Sequence, residues 1–260
     1  MDDDGTLTLR PLTARSIVLS TLLGHHPPRL PVRALVRVGE LFSVAEGTIR
    51  VALSRMVAAG DLEQRDGMYG LTARLLERQA RQDDSRSPRT REWDGSWEIA
   101  VVTVDRRAAG ERAALRQAMA RLRLAELREG SWLRPANLDR PQLPVVREQC
   151  TRLTGAPDGD PAALAALLWD LDGWARRARS LEAALERVRA RVRSDDTGLA
   201  GQFTVSAAVL RQLLTDPVLP DALLPPDWPG SRLRSSYDAS ERELHEVLRA
   251  YVSPDGGGAD

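Results

Sequence analysis

The stretch Ser43–Val57, SVAEGTIRVALSRMV, constrains the fold more than any other part of the chain. Its apolar residues recur at the intervals of one helix face, namely at Ile49, Ala52, Leu53, Met56 and Val57. The opposite face carries small, hydroxyl and guanidinium side chains and has no acid after Glu46. Such a face is typical of a helix that approaches a phosphate backbone and base edges.

The flanking residues predict the rest of a winged helix-turn-helix. A helix over about residues 32–42, with Pro31 at its first turn, precedes the stretch by only three or four residues. Gly60 ends the second helix, and Asp66-Gly67 marks a two-residue turn between short strands. A hairpin directly after a recognition helix is a wing. With further helices at about 13–23 and 72–81, we expect a DNA-binding domain over residues 10–81.

Charge supports the same interpretation. The 260-residue chain has a net charge of zero, but Arg10 to Arg81 holds eleven arginines against six acids. A locally basic segment on a neutral chain favours a nucleic-acid module. Arg65 at the wing tip would reach a phosphate or the minor groove, Val51 could touch a thymine methyl, and Arg50 could instead be a plain solvated charge. The candidate DNA contacts are Ser43, Thr48, Arg50, Val51, Ser54, Arg55 and Arg65.

Beyond the DNA-binding segment the pattern changes twice. Residues 82–92 are polar and predict a linker. Residues 93–158 contain an apolar strand at 97–104, a helix at 111–124 and short extended pieces at 125–127, 131–134 and 145–153. This order predicts a ferredoxin-like middle domain whose second helix is short or missing around 137–143. Residues 159–252 are mostly helical in pattern and predict a helical C-terminal domain, followed by a disordered tail at 253–260. The expected class is α+β.

Several classes of function lack their sequence signals. No apolar run reaches 18 residues, so no membrane helix is expected, and the N-terminus lacks the apolar core of a secretory signal. Cys150 is the single cysteine, which excludes an intrachain disulfide and fits the cytoplasm. We find no Gly-rich phosphate loop, no Gly-x-Ser-x-Gly and no metal-spaced His pair. We therefore expect no catalytic site, metal or cofactor.

Three stretches together share the pattern of one known family. The first is the N-terminal unit with TIRVALSR at 48–55, the second is WDGSW at 93–97, and the third and most specific is DPVLPDALLPPDWPG at 216–230. On these residues the chain resembles the PaaX-type transcriptional repressors of phenylacetate catabolism over about residues 13–251. The resemblance implies a winged helix-turn-helix, a Cas2-like ferredoxin fold in the middle domain and a helical C-terminal domain.

The resemblance also implies partners. It implies a homodimer on double-stranded operator DNA with inverted half-sites, released by an acyl-CoA thioester effector such as phenylacetyl-CoA. The sequence departs from the family pattern within 203–211, so the effector and its pocket stay open. Two other functions also stay open. One is a metal-dependent nuclease, for which Asp105 after the first middle-domain strand would supply one acid. The other is a scaffold that keeps the fold without binding DNA.

Overall fold

The computed structural model describes residues 13–194 and 199–252, and the predicted frayed N-terminus (1–10) and disordered tail (253–260) lie outside them. The chain forms two compact units. Among the described residues, unit 1 is built from those within 13–86, 177–214 and 231–252, and unit 2 from 87–176 and 215–230. The residues of the predicted C-terminal domain are therefore shared between both units, while the three-domain division stays a prediction.

Unit 1 opens with a winged helix-turn-helix, as predicted. Its elements are α1 (Ala14–Gly24), β1 (Arg29–Pro31), α2 (Val32–Leu41), α3 (Glu46–Ala58), β2 (Leu62–Arg65), β3 (Met68–Leu71) and α4 (Ala73–Arg86). The strands form an antiparallel sheet in the order β1-β3-β2, of which β1 was not predicted. At the hairpin turn Asp66 and Gly67 both have positive φ, of 50° and 73°, as a two-residue turn of this type requires.

The apolar face of α3 forms the centre of this module. Ile49, Leu53 and Met56 are at most 1% exposed and pack with Val18 and Leu22 of α1. Burying side chains of this size contributes roughly 1.5–3 kcal/mol each as an upper estimate. The helical spacing seen in the sequence therefore fixes which side of α3 faces inward and leaves the acid-poor side to solvent.

The linker between the units is shorter than predicted. Helix α4 continues through residues 82–86, which the sequence pattern assigned to the linker because they lack apolar side chains. Gln82 and Ser85 are nevertheless buried, with the Ser85 hydroxyl donating to the Gln82 carbonyl at 2.7 Å. Arg86 donates to Asp238 at 2.8 Å. A polar helix face can thus be buried where hydrogen bonds satisfy it.

Three C-terminal helices contribute to unit 1: α8 (Leu171–Ser194, from residue 177 onward), α9 (Leu199–Leu214) and α10 (Gly230–Val252). They share an apolar cluster with α1 and α2, formed by Ile17, Val38, Leu199, Phe203 and Leu244. The Phe203 ring also lies 5.0 Å, centroid to centroid, from the Phe42 ring at the end of α2. None of the described helices is long and apolar enough to cross a membrane.

Unit 2 contains the predicted ferredoxin-like arrangement in full. Its elements are β4 (Trp97–Val102), α5 (Ala109–Arg121), β5 (Ala125–Arg128), β6 (Ser131–Pro135), α6 (Pro144–Gln149), β7 (Cys150–Gly155) and α7 (Pro161–Leu168). The antiparallel sheet has the order β5-β6-β4-β7. The extended piece expected over 145–153 is half wrong, because Pro144 starts a helix there. Val146 of that helix packs into the cluster of α5, so the second helix is present.

The DPVLPDALLPPDWPG run belongs to unit 2, where Arg134 holds its beginning. Arg134 has no exposed surface and donates to the carbonyls of Pro217 at 3.3 Å and Val218 at 3.1 Å. At its far end Trp228 stacks on Trp174, with ring centroids 4.6 Å apart and planes 17° apart. The run that carries the family resemblance thus has a structural role. Its first carbonyls bind Arg134 and its last tryptophan stacks on Trp174, so both of its ends are packed into this unit.

Candidate nucleic-acid interface

The exposed face of α3 carries most of the candidate DNA contacts. With 3.6 residues per turn, Val51 lies at the centre of this face, with Thr48 and Arg55 to one side and Ser54 and Arg50 to the other. All five are exposed, and Val51, half exposed, is a large apolar side chain without cover. The face contains no acid beyond Glu46 in the first turn. It could therefore approach a phosphate backbone without repulsion and offer Val51 to a groove floor.

The cations around this face are not equally available. Arg50 donates to Glu46 at 2.7 Å, one helical turn away, with both side chains exposed. On the wing Arg65 lies 3.6 Å from Glu63, which also accepts from Arg29 at 3.0 Å. Arg55 has no ion-pair partner among the described residues. Arg55 is therefore the cation that could reach a phosphate without first breaking an ion pair.

The turn before α3 depends on a glycine that the sequence reading did not single out. A Cβ on Gly39 would lie 2.5 Å from Ile49, so only glycine lets α2 approach α3 this closely. Ser43 then adopts a positive φ of 56°, and its amide donates to the Glu40 carbonyl at 2.9 Å. Ser43 is exposed in this turn, which places its hydroxyl at the N-terminal side of α3.

Asp61, just after α3, is a second residue that sequence reasoning missed. Its carboxylate is 2% exposed and accepts from Arg15 of α1 at 2.6 Å and from Arg74 of α4. Thr72 donates its hydroxyl to the Asp61 carbonyl at 3.1 Å. These bonds tie both flanking helices to the start of the wing. An acid directly after a helix-ending glycine, before a hairpin, was the only signal available for it.

The groups relevant to the alternative functions lie elsewhere. Asp105 is exposed in a bend beyond β4. Within residues 13–194 and 199–252, no group of three His, Cys, Asp or Glu side chains could hold a metal ion. Cys150 is buried, and burial raises the pKa of its thiol. The guanidinium of Arg134 is enclosed by backbone carbonyl oxygens and is not open to an anionic ligand.

Comparison with known proteins divides the chain into three successive segments. Three family models match: the PaaX-like protein model over residues 13–75, the PaaX protein central Cas2-like domain over 90–151 and the PaaX-like protein C-terminal domain over 169–253. A solved structure of an uncharacterized protein from Mycobacterium tuberculosis is 44% identical, covers 92% of this chain and 98% of its own, and superposes with a TM-score of 0.77.

No curated protein matches the chain. The family models nevertheless cover its N-terminal, central and C-terminal parts in order. The first spans the winged helix-turn-helix up to the start of α4, and the second spans the Cas2-like sheet up to the start of β7. The family is one of transcriptional regulators rather than enzymes. The chain belongs to the PaaX-like family.

Proposed function

We propose that the protein is a sequence-specific DNA-binding transcriptional repressor that reads double-stranded operator DNA with α3 and the wing. The observation that carries the proposal is the exposed, acid-poor face of α3 centred on Val51, next to Arg55, which has no ion-pair partner in the part of the chain that the structure describes. In this proposal Thr48, Ser54 and Arg55 contact the major groove or its phosphates, and Ser43 bonds a phosphate at the turn. Arg65 reaches the neighbouring phosphate or minor groove from the wing.

Two contacts in this proposal need a local rearrangement. Arg50 has to leave Glu46, and Arg65 has to leave Glu63, before either meets a phosphate. Both pairs are exposed, so each separation costs about 1 kcal/mol or less. A phosphate accepts a charge-assisted hydrogen bond in their place. The two ion pairs therefore lower the DNA affinity slightly and do not prevent binding.

A mobility-shift assay with the DNA upstream of the protein's own gene tests the proposal. We expect a shift that specific competitor removes and unrelated DNA does not. Val51→Glu should weaken it by more than about tenfold, because it places an acid at the centre of the face against the phosphates. Val104→Glu is the matched control, since Val104 is similarly exposed in unit 2. Equal shifts for both variants, or none for the wild type, contradict the proposal.

The family further supports a homodimer on inverted half-sites that acts in the cytoplasm and is released by an acyl- or aryl-CoA-type effector. Two-fold symmetric binding predicts that one half-site alone is bound much more weakly than two half-sites about one helical turn apart. Repeating the shift assay with phenylacetyl-CoA and other acyl-CoA thioesters tests release. The thioester that removes the shift at the lowest concentration identifies the effector class.

A further inference from the structure

A cavity of about 710 Å³ lies within unit 1, between α1 and α4 on one side and α9 and α10 on the other. Its volume is in the range of small-molecule sites. Leucines and one aromatic ring form much of the wall, including Leu19, Leu23, Phe203 and Leu210. A site of this size with an apolar wall favours a ligand with an apolar body.

The charged groups around the cavity are unbalanced. Four arginines face two acids, and the arginines are Arg15, Arg78, Arg86 and Arg211. Arg15 is ion-paired with Asp61, and Arg86 is ion-paired with Asp238 and with Asp83 of the cavity wall. Arg78 and Arg211 have no ion-pair or hydrogen-bond partner among the described residues.

Neighbouring charges act on Arg78 in the same direction. Burial lowers its pKa, and Arg81, Arg15, Arg211 and Arg74 lower it further by repulsion. Uncompensated cations held together raise the energy of the empty site, and an anion between them would relieve that repulsion. This part of the rim therefore selects a negatively charged group.

The deeper part of the cavity has different chemistry. Glu241 is 9% exposed there, and burial raises the pKa of its carboxyl. Tyr237 hydrogen-bonds to it, and the neighbouring His245 donates its Nε2–H to the Gly24 carbonyl at 2.7 Å. Gly24 is the last residue of α1. This part of the cavity thus offers Glu241 as a hydrogen-bonding acid. The His245–Gly24 hydrogen bond joins α10 to the end of α1, the helix whose leucines line the cavity wall.

Two sets of contacts connect the cavity wall to the DNA-reading elements. Leu19 and Leu23 line the cavity and also belong to the core that encloses Ile49 and Leu53 of α3. Phe203 lines it and packs against Phe42, the residue before Ser43 in the helix-turn-helix turn. A ligand that displaces Leu19, Leu23 or Phe203 would shift residues that pack beneath α3 or against the turn before it, because packed cores transmit displacement.

We infer that this cavity binds an organic anion with an apolar body, and that occupancy shifts α3 through Leu19, Leu23 and Phe203. The binding itself stands alone, whereas the regulatory part rests on the proposed DNA-binding function. The anionic group lies between Arg78 and Arg211, and the apolar body lies against α9.

The test uses two dyes with the same aromatic body, and the full-length protein. Anilinonaphthalene sulfonate is anionic, and N-phenyl-1-naphthylamine lacks the sulfonate. We expect saturable fluorescence enhancement by the sulfonate. Binding of the uncharged dye should be at least about tenfold weaker, because it lacks the group that accepts charge-assisted hydrogen bonds from the arginines. Equal affinity for both dyes overturns anion recognition.

Paired variants locate the site. Ala207→Trp, which fills the cavity, should weaken sulfonate binding at least about tenfold, whereas Ala200→Trp on the exposed side of the same helix should not. The double variant Arg78→Ala, Arg211→Ala should remove the preference for the sulfonate, whereas Arg116→Ala, Arg121→Ala, exposed on α5, should keep it. Wild-type dye binding by Ala207→Trp or by the Arg78, Arg211 variant overturns the assignment.

The regulatory part has its own readout. Adding the sulfonate should lower the operator affinity of the wild-type protein. It should have no effect on the operator affinity of Ala207→Trp, whose cavity is already filled. Operator binding that the dye does not alter, while fluorescence shows the cavity filled, overturns the coupling to α3. Absence of operator binding in every variant contradicts the proposed function, and the fluorescence results still decide whether the cavity binds an anion.

Discussion

The two units use arginine in opposite ways. In unit 2, Arg134 is fully buried and its guanidinium donates to Asn137 at 2.7 Å and to backbone carbonyls on the other sides. Burial lowers its pKa, and the surrounding oxygens hold the charged form. In unit 1, Arg55, Arg78 and Arg211 have no ion-pair partner among the described residues. A satisfied buried cation fixes a structure, whereas an unsatisfied one near the surface can serve a ligand.

The largest effect is expected where the buried cation is removed. Arg134→Met removes the guanidinium donors from the buried carbonyls of Pro135 and Pro217 and leaves that of Val218 with the Asn137 amide alone, so it should lower the free energy of unfolding by about 3 kcal/mol or more. Urea titration followed by tryptophan fluorescence measures this, because all six tryptophans lie in unit 2. Arg152→Met, which removes only a partly exposed pair with Glu98, should stay within about 1 kcal/mol of the wild type. A loss as small in Arg134→Met would break the contrast.

Asp61 tests an intermediate case, a buried acid whose arginine partners are more than half exposed. Asp61→Asn should lower the free energy of unfolding by about 1–2 kcal/mol, because Arg15 and Arg74 can return to water while the hydrogen bonds are weakened. Circular dichroism at increasing urea concentration measures the loss. Asp66→Asn at the exposed turn is the control and should change little. A loss equal to that of Arg134→Met would show that partner exposure does not matter here.

Arg55 tests an unpaired cation on the surface. Arg55→Ala should lower operator affinity by about tenfold and reduce the slope of log affinity against log salt by about one unit, because one phosphate contact is lost. Arg116→Ala removes the same charge from exposed α5 and should leave the slope unchanged. Identical slopes for Arg55→Ala and the wild type would remove Arg55 from the interface.

The smallest effect concerns Glu241, a second buried acid of unit 1. Burial raises the pKa of Glu241, so the folded protein binds this proton more tightly than the unfolded chain does. Its contribution to stability is present at low pH and is lost as the pH rises through the raised pKa. Glu241→Gln should flatten the fall in the free energy of unfolding that begins as the pH rises above the ordinary Glu pKa of 4.5. Glu246→Gln, exposed on the same helix, should retain that fall, and equal profiles would place the proton elsewhere.

Periodicity and turn chemistry were enough to predict the helix-turn-helix, because Ile49, Leu53 and Met56 repeat at helical spacing and Asp66-Gly67 can adopt positive φ. They failed where distant contacts decide. Residues 144–149 look extended in isolation, yet they form a helix packed on α5.

The cavity left no local pattern at all, because its walls come from residues 13–86 and 203–245. No spacing pattern within either segment predicts that it contacts the other. The exposed face of α3 could be predicted from the sequence. Its ion pairs could not, because a pair such as Arg50 with Glu46 depends on side-chain rotamers that only the structure gives.

The assembly of unit 1 from three separate segments has a consequence for synthesis. A ribosome releases α3 early, but Ile17 and Val38 find their partners Leu199, Phe203 and Leu244 only after residue 244 has emerged. At about 5–20 residues per second, that interval lasts roughly ten seconds or more. During this time the nascent winged helix-turn-helix exposes apolar surface that later helices cover. Premature termination before residue 231 would therefore leave unit 1 without α10. The apolar surface that this helix covers would then be accessible to chaperones and proteases.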